Sequence, residues 1–274
     1  MLSTRMTVPI TLFSVIIRIM LEKNENFCYF DAHFHLGDLE GHFDPPSNWA
    51  GCTCFHSPEE WNKCVVPELV EGANKKIYLS YGLHPQSAGW IDIKQCADFL
   101  ENLLQQNKLN AIGEAGFDYF TQEFRDHSAI QEEMFNLQLL LALQYNKPMI
   151  IHARKANNKL FEYSKQFKKL PAVLFHSFMG PAREAQSLIA HGINAYFSFG
   201  KQLMNNNKKV LDCAQNLPLQ NLLLETDAPF QFLKGEKCTQ PQDIKKIYEA
   251  FIALRPESRA TIFATLQDNF KKML

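Results

Sequence analysis

Residues 148–154 read PMIIHAR. An aliphatic triplet follows a proline and gives way at once to His152 and Arg154. Such a run is too apolar for a strand with one wet face and belongs in a parallel sheet covered on both sides. Before it, residues 128–146 carry Phe135, Leu139 and Leu143 at helical spacing, and Pro148 stops them. After it comes another short apolar run, AVLFHSF (172–178). Further out the pattern repeats: CYFDAHFH (28–35), GCTCFHS (51–57), KIYLSYGLH (76–84), LNAIGEAG (109–116), INAYFSFG (193–200) and NLLLETDAP (221–229) make eight runs in all. Helical signals lie between and after them. Ser57-Pro58-Glu59-Glu60 reads as a capping box opening a helix towards Gly72, and residues 91–108 place Leu100, Leu103 and Leu104 on one face. Residues 183–191 end at Gly192, and residues 241–254 and 256–274 each begin with a proline suited to a first turn. Only residues 36–48, with Gly37, Gly41, Pro45 and Pro46, predict a loop where a helix would be expected. Eight alternating strands and helices predict an α/β (β/α)₈ TIM barrel.

The chain has 274 residues, 46% hydrophobic and 21% charged, which excludes disorder, a collagen-like repeat and a small disulfide scaffold. A formal charge of -1 argues against a large basic surface wrapped around duplex nucleic acid and leaves room for a local patch. Seven cysteines without a C-x-x-C pair read as reduced thiols in a cytoplasmic protein. Residues 8–21, VPITLFSVIIRIML, are too short to span a bilayer comfortably and contain Arg18, so no membrane span is predicted. Three readings stand for that segment: an extension packed on the body, sequence upstream of a true start at Met20, or an export signal without a small-x-small cleavage site. Residues 1–26 are therefore set apart as an N-terminal extension of uncertain status, and residues 27–274 form the predicted barrel.

What stands at the ends of the apolar runs points to chemistry. The first run ends in His33 and His35, and others lead to His84, Glu114, His152, His176 and Asp227. In a barrel these C-terminal strand ends meet at one mouth, where barrel enzymes keep their sites. Histidines and carboxylates crowded there are unfavourable unless something binds them, and a metal is the natural partner. His33 and His35 lie two apart and share one side of a strand, and a carboxylate such as Glu114 has two oxygens with which to bridge two ions. Nitrogen and oxygen ligands without thiolate favour Zn, Mn or Mg. A lone His-x-His is a weak signal; all the candidates falling at strand ends together are not.

FDAHFH, GLHP, GEAGFDY, the trio Gln131, Phe135 and Gln138, KPMIIHAR, FHSF, YFSFG and LLLETDAP resemble, in order and spacing, the TatD family of metal-dependent hydrolases, often described as deoxyribonucleases. The resemblance implies a (β/α)₈ barrel with two divalent ions. His33, His35 and Asp227 would hold one, His152 and His176 the other, and Glu114 would bridge. Asp227 would also be the base that deprotonates the attacking water, with Asp227 and Glu114 as the catalytic pair. The implied substrate is DNA or another phosphodiester, often cut from an end.

Around that centre, Arg154 and His84 are the candidate substrate-binding residues, Arg154 either gripping a phosphate oxygen or closing a structural salt bridge. Phe117, Tyr119, Phe178 and Phe230 either stack a base or form an apolar wall. The chain departs from the family where an R-N-x-P segment is usual: residues 234–241 read KGEKCTQP, and Lys237 supplies charge without a bidentate fork. Cys52 and Cys54 read as packed strand residues more readily than as soft-metal ligands, and Lys208 and Lys209 as a solvated helix end. The runner-up function is a binuclear hydrolase of a small-molecule amide, ester or lactone, since fold and metal do not fix the substrate. A monomer is favoured.

Overall fold

The structure is a computed structural model that describes residues 27–40, 43–65 and 75–274; the N-terminal extension of residues 1–26 lies outside them. Eight strands run in chain order around one sheet, every neighbouring pair parallel. They are β1 (Tyr29–Phe34), β2 (Trp49–Phe55), β3 (Lys75–Tyr81), β4 (Ala111–Asp118), β5 (Met149–Arg154), β6 (Val173–Phe175), β7 (Ala195–Phe199) and β8 (Leu222–Leu224). The last strand meets the first through the chain beyond it. The Asp227 N–H donates to the His33 carbonyl at 3.0 Å, and the His35 N–H donates to the Ala228 carbonyl at 2.8 Å. Below that seam the fully buried Asp31 carboxylate accepts from the Thr226 N–H at 2.8 Å and the Thr226 hydroxyl at 2.7 Å. The result is a nearly closed barrel, as the alternating pattern predicts.

Between the strands lie α1 (Pro58–Cys64), α2 (Ile93–Gln105), α3 (Gln122–Asp126), α4 (Ser128–Gln144), α5 (Asn157–Glu162), α6 (Ser164–Phe167), α7 (Ala182–Ala190) and α8 (Lys208–Asn216), followed by α9 (Ile244–Ile252) and α10 (Arg259–Met273). Their apolar faces and the outward residues of the strands form the main core; α2, for example, buries Leu100, Leu103 and Leu104 as its periodicity predicts. Inside the barrel a second cluster holds Phe30, Ala32, Ile150, Leu174 and Leu223, closed at the floor by Phe270 and Met273 of α10. The Phe270 ring lies 5.1 Å from Phe30 and 5.2 Å from Tyr78, so the C-terminal helix plugs the barrel. Cys52 belongs to this interior cluster, and burial pushes its thiol up to about 12, which fits a packed protonated side chain.

Several boundaries differ from the sequence pattern for local reasons. The Ser57 hydroxyl caps α1 by accepting from the Glu60 N–H at 3.1 Å, and the Glu60 carboxylate reaches back to accept from the His56 N–H at 2.8 Å. The expected run of that helix to Gly72 falls in residues 66–74, outside those described. α10 begins at Arg259, later than Pro256, because the Ser258 hydroxyl accepts from the Thr261 N–H at 3.1 Å and starts the helix there. Residues 36–48 contain only a short 3₁₀ turn at Leu36–Asp38 among the described residues, in keeping with the expected loop. β6 and β8 are each 3 residues long, so His176 and Asp227 stand on the backbone that turns away beyond the strands. Asp227 takes a left-handed φ of 53° to do so.

Candidate active site

All six candidate ligands converge at the C-terminal ends of the strands, around the buried carboxylate of Glu114 on β4. Its two oxygens face different partners. Oε1 lies 2.6 Å from His152 Nδ1, 2.6 Å from His176 Nε2 and 3.2 Å from His84 Nε2. Oε2 lies 3.2 Å from His33 Nε2 and 3.6 Å from His35 Nε2. Asp227 joins the second group, with Oδ1 3.2 Å from His35 Nε2 and 3.6 Å from His33 Nε2. Burial alone would raise the Glu114 carboxyl, but the surrounding imidazoles of His176, His84 and His33 hold it well below the usual carboxylate range. Burial likewise opposes charge on Asp227, and the hydrogen bond and charge of His35 outweigh it, leaving a carboxylate.

The backbone geometry that brings β4 and β5 this close depends on glycine. Gly116 has φ +147°, and a Cβ there would stand 2.0 Å from the His152 carbonyl oxygen. Two glutamines of α4 hold the neighbouring strand ends. Gln138 accepts from the Leu83 N–H at 2.8 Å and donates to the Leu83 carbonyl at 3.1 Å, one residue before His84. Gln131 does the same for Asp118, accepting from its N–H at 2.9 Å and donating to its carbonyl at 3.0 Å. These two residues, in the sequence members of a motif that carries the family resemblance, are thus main-chain clamps for two βα loops.

Outer partners orient the imidazoles. His152 Nε2 lies 3.1 Å from Asp118 Oδ2, which also accepts from Gln86 Nε2 at 2.7 Å. A proton on Nε2 for that carboxylate leaves Nδ1 as the lone pair facing Glu114 and His176. His35 Nδ1 lies 3.1 Å from His56 Nε2. His176 Nδ1 lies 3.7 Å from Glu225 Oε1, whose other oxygen accepts from the Ser198 hydroxyl at 2.5 Å. His84 differs: its Nδ1 accepts from the Gln86 N–H at 3.2 Å, so in the neutral ring the proton sits on Nε2. Sequence reasoning passed over His56, Asp118 and Glu225. Each stands in or next to a quoted motif, but as a partner of a ligand and without its own spacing signal.

The donor set fits divalent cations. His33 Nε2 and His35 Nε2 approach to 3.0 Å, and His152 Nδ1 and His176 Nε2 to 3.3 Å. Buried imidazole nitrogens facing one another beside ionised carboxylates are poorly satisfied by each other and well satisfied by a cation. His33–His35–Asp227 and His33–Glu114–His176 each bring three ligand atoms within 4.8 Å of one another.

A cavity of about 740 Å³ opens over this cluster. Arg154 lines it, with its guanidinium 3.6 Å over the Phe120 ring, and among the described residues it makes no ion pair. Of the four aromatics singled out in the sequence, only Phe230 lines the cavity. Phe117 and Phe178 are buried in the main core, Phe117 against Phe135 and Phe178 against Phe197, and cannot meet a base. Lys237 is exposed and away from the cavity lining. The cation acting in that region is Lys201, fully buried, whose Nζ lies 2.5 Å from Glu236 Oε2 and 2.7 Å from Asp243 Oδ2. Lys208 and Lys209 stand exposed at the N-terminal end of α8, a solvated helix end as expected.

A parallel barrel with a histidine–carboxylate cluster at its C-terminal mouth defines a metal-dependent hydrolase. Residues 30–274 match the family described as TatD related DNase, and the chain belongs to it. It is 30% identical over 203 residues to the 3′-5′ ssDNA/RNA exonuclease TatD of Escherichia coli K12, covering 70% of this chain and 75% of that one. It is 27% identical over 251 residues to the metal-dependent hydrolase YjjV of the same organism, covering 89% of this chain and 95% of that one. The crystal structure of YjjV superposes with a TM-score of 0.77, at 24% identity over 90% of this chain and 97% of that one. No helix among the described residues is long and apolar enough to cross a membrane.

Proposed function

We propose that this protein is a phosphodiesterase dependent on two divalent ions, Mg, Mn or Zn, that removes nucleotides from the 3′ end of single-stranded DNA or RNA. The observation that carries the reading is the division of Glu114, one oxygen toward His152 and His176, the other toward His33 and His35. On this reading His33, His35 and Asp227 would hold one ion, His152 and His176 the second, and Glu114 would be shared between them. Bound there, the ions acidify water and neutralise charge on the phosphoryl oxygens. The chain's own side chains do the rest. Asp227 would accept the proton of the attacking water, its carboxylate fixed by Gln231, whose amide donates to Oδ2 at 2.6 Å, and by His35, 3.2 Å from Oδ1. Arg154 lines the cavity without an ion pair among the described residues, suited to a non-bridging phosphate oxygen. His84, its Nδ1 taken by the Gln86 N–H and its Nε2 proton facing Glu114 Oε1 at 3.2 Å, lines the cavity beside the place this group would take. The similarity to TatD supports the choice of nucleic acid and of the 3′ end.

The test is an end-labelled single-stranded oligonucleotide incubated with Mg or Mn, beside a panel of carboxyl esters, amides and lactones. Mononucleotide release that stops on chelation is the expected result. Turnover of the panel with none of the oligonucleotide overturns the reading in favour of a small-molecule hydrolase.

A further inference from the structure

Among the described residues six large apolar side chains stand exposed, and four of them gather at this mouth: Met179, Phe230, Phe232 and, beneath Arg154, Phe120. Phe230 is 46% exposed and Phe232 53%. A ring that only walls water from a site is covered by protein on its outer side; these two are not, and uncovered apolar surface beside a cavity marks a place for a ligand. The loop is built to display them. Gln231, between the two, takes a left-handed φ of 54° and turns its amide inward onto Asp227 and the Ser177 hydroxyl, leaving its neighbours at the cavity edge. The Phe230 ring sits edge-on to His35 at 5.1 Å, directly beside the ligand cluster. Further along, Glu236 accepts from the Leu233 N–H at 2.9 Å and from the buried Lys201 ammonium, so the loop is fixed before any ligand arrives.

We propose that Phe230 and Phe232 form a stacking ledge for the terminal base of a single strand, and that the enzyme grips that end by the face of its base. The ligand implied is planar and apolar on one side and anionic next to it. The ledge supplies the apolar surface, and Arg154, braced on Phe120 across the cavity, faces the anion. A nucleotide has that make-up, and stacking tolerates any of the four bases because each has a π face. This inference rests on the phosphodiesterase reading above.

The experiment compares kcat/KM of the full-length protein, loaded with Mn, on two single-stranded oligonucleotides. One has ordinary termini; the other carries an abasic residue at each end. Bis(p-nitrophenyl) phosphate is the control for phosphodiester chemistry. The abasic substrate should be cut about five- to a hundredfold less efficiently. Phe230→Leu, which keeps apolar bulk without a π face, and Phe232→Ala should each move the ratio of the two substrates towards one. Equal cleavage of both oligonucleotides by the wild-type protein overturns the ledge and leaves the phosphodiesterase reading standing. An undiminished preference in both variants also overturns it. No cleavage of either oligonucleotide or of the control overturns the reading beneath.

Discussion

The side-chain amide of Gln138 holds both main-chain groups of Leu83, accepting from its N–H at 2.8 Å and donating to its carbonyl at 3.1 Å. Both residues are buried, so no water stands ready to replace these bonds. The residue so held precedes His84 and the turn that carries Gln86, and through them the cavity edge. Gln138→Leu keeps the volume and removes the partners. Leaving buried polar groups unsatisfied costs about 1–3 kcal/mol each. The variant should lose about 2–5 kcal/mol by urea denaturation and show a raised KM as His84 loses its fixed position. A denaturation midpoint within error of the wild type would show that the clamp is dispensable.

The clamp also illustrates what the sequence makes legible. Strand and helix periodicities announce the barrel, and the residues closing each apolar run announce the candidate ligands, because both follow from short-range order along the chain. The loss of α3, α5 and α6 to view has a physical reason: helices of 5, 6 and 4 residues are too short to show a period. The partners of the ligands are hidden for another reason. Asp118 meets His152 across 34 positions, and Lys201 meets Glu236 across 35 and Asp243 beyond it, pairings that only the closed barrel creates. Phe117 and Phe178 mislead because adjacency to a ligand motif says nothing about which side of a strand or turn a ring takes.

Asp118 fixes the tautomer of His152 by accepting at Nε2, 3.1 Å away. Burial opposes charge on both, yet their hydrogen bond holds the Asp118 carboxyl low and raises His152. Asp118→Ala removes the acceptor and frees the ring to present Nε2–H or Nδ1–H alike. Loss of such an outer partner typically weakens metal affinity about 10–100-fold. Competition against a chelator of known affinity reads this directly. Unchanged affinity would mean that His152 is oriented by packing alone.

Lys201 is fully buried between Glu236 and Asp243. Lys201→Met should leave Asp243 short of a partner and lower Tm by about 5–10 °C, as for other broken buried pairs. The effect should depend on pH. Burial pushes the Asp243 carboxyl up, but the Gln240 N–H, Lys201 and Lys246 hold it below its ordinary 3.8. A depressed carboxyl stabilises the fold above the unfolded value and loses that contribution as pH falls through the folded one. Wild type and variant should therefore differ most at neutral pH and converge below pH 3.8. A Tm gap that persists unchanged well below that pH would show that the carboxylate charge plays no part.

Two carboxylates in the cluster should fail differently. Glu114 has oxygens directed to both imidazole groups, at 2.6 Å on one side and 3.2 Å on the other. Neutralising it in Glu114→Gln takes charge and an oxygen from both proposed ions at once, so metal content and turnover should fall together. Asp227 touches only the His33–His35 side, and its second oxygen is already engaged by Gln231. In Asp227→Asn the first ion keeps His33, His35 and Glu114, and the second keeps His152, His176 and Glu114. Much of the metal should therefore remain, while loss of the base lowers kcat by about 10²–10⁴. The amide also meets Gln231, which must turn its own amide over to offer an oxygen; that exchange is local and leaves the imidazoles where they are. Elemental analysis of the two variants beside single-turnover rates separates the roles. Near wild-type turnover in Asp227→Asn would remove Asp227 as the base whatever its metal content. Full metal content in Glu114→Gln would show that the imidazoles suffice and that Glu114 does not bridge.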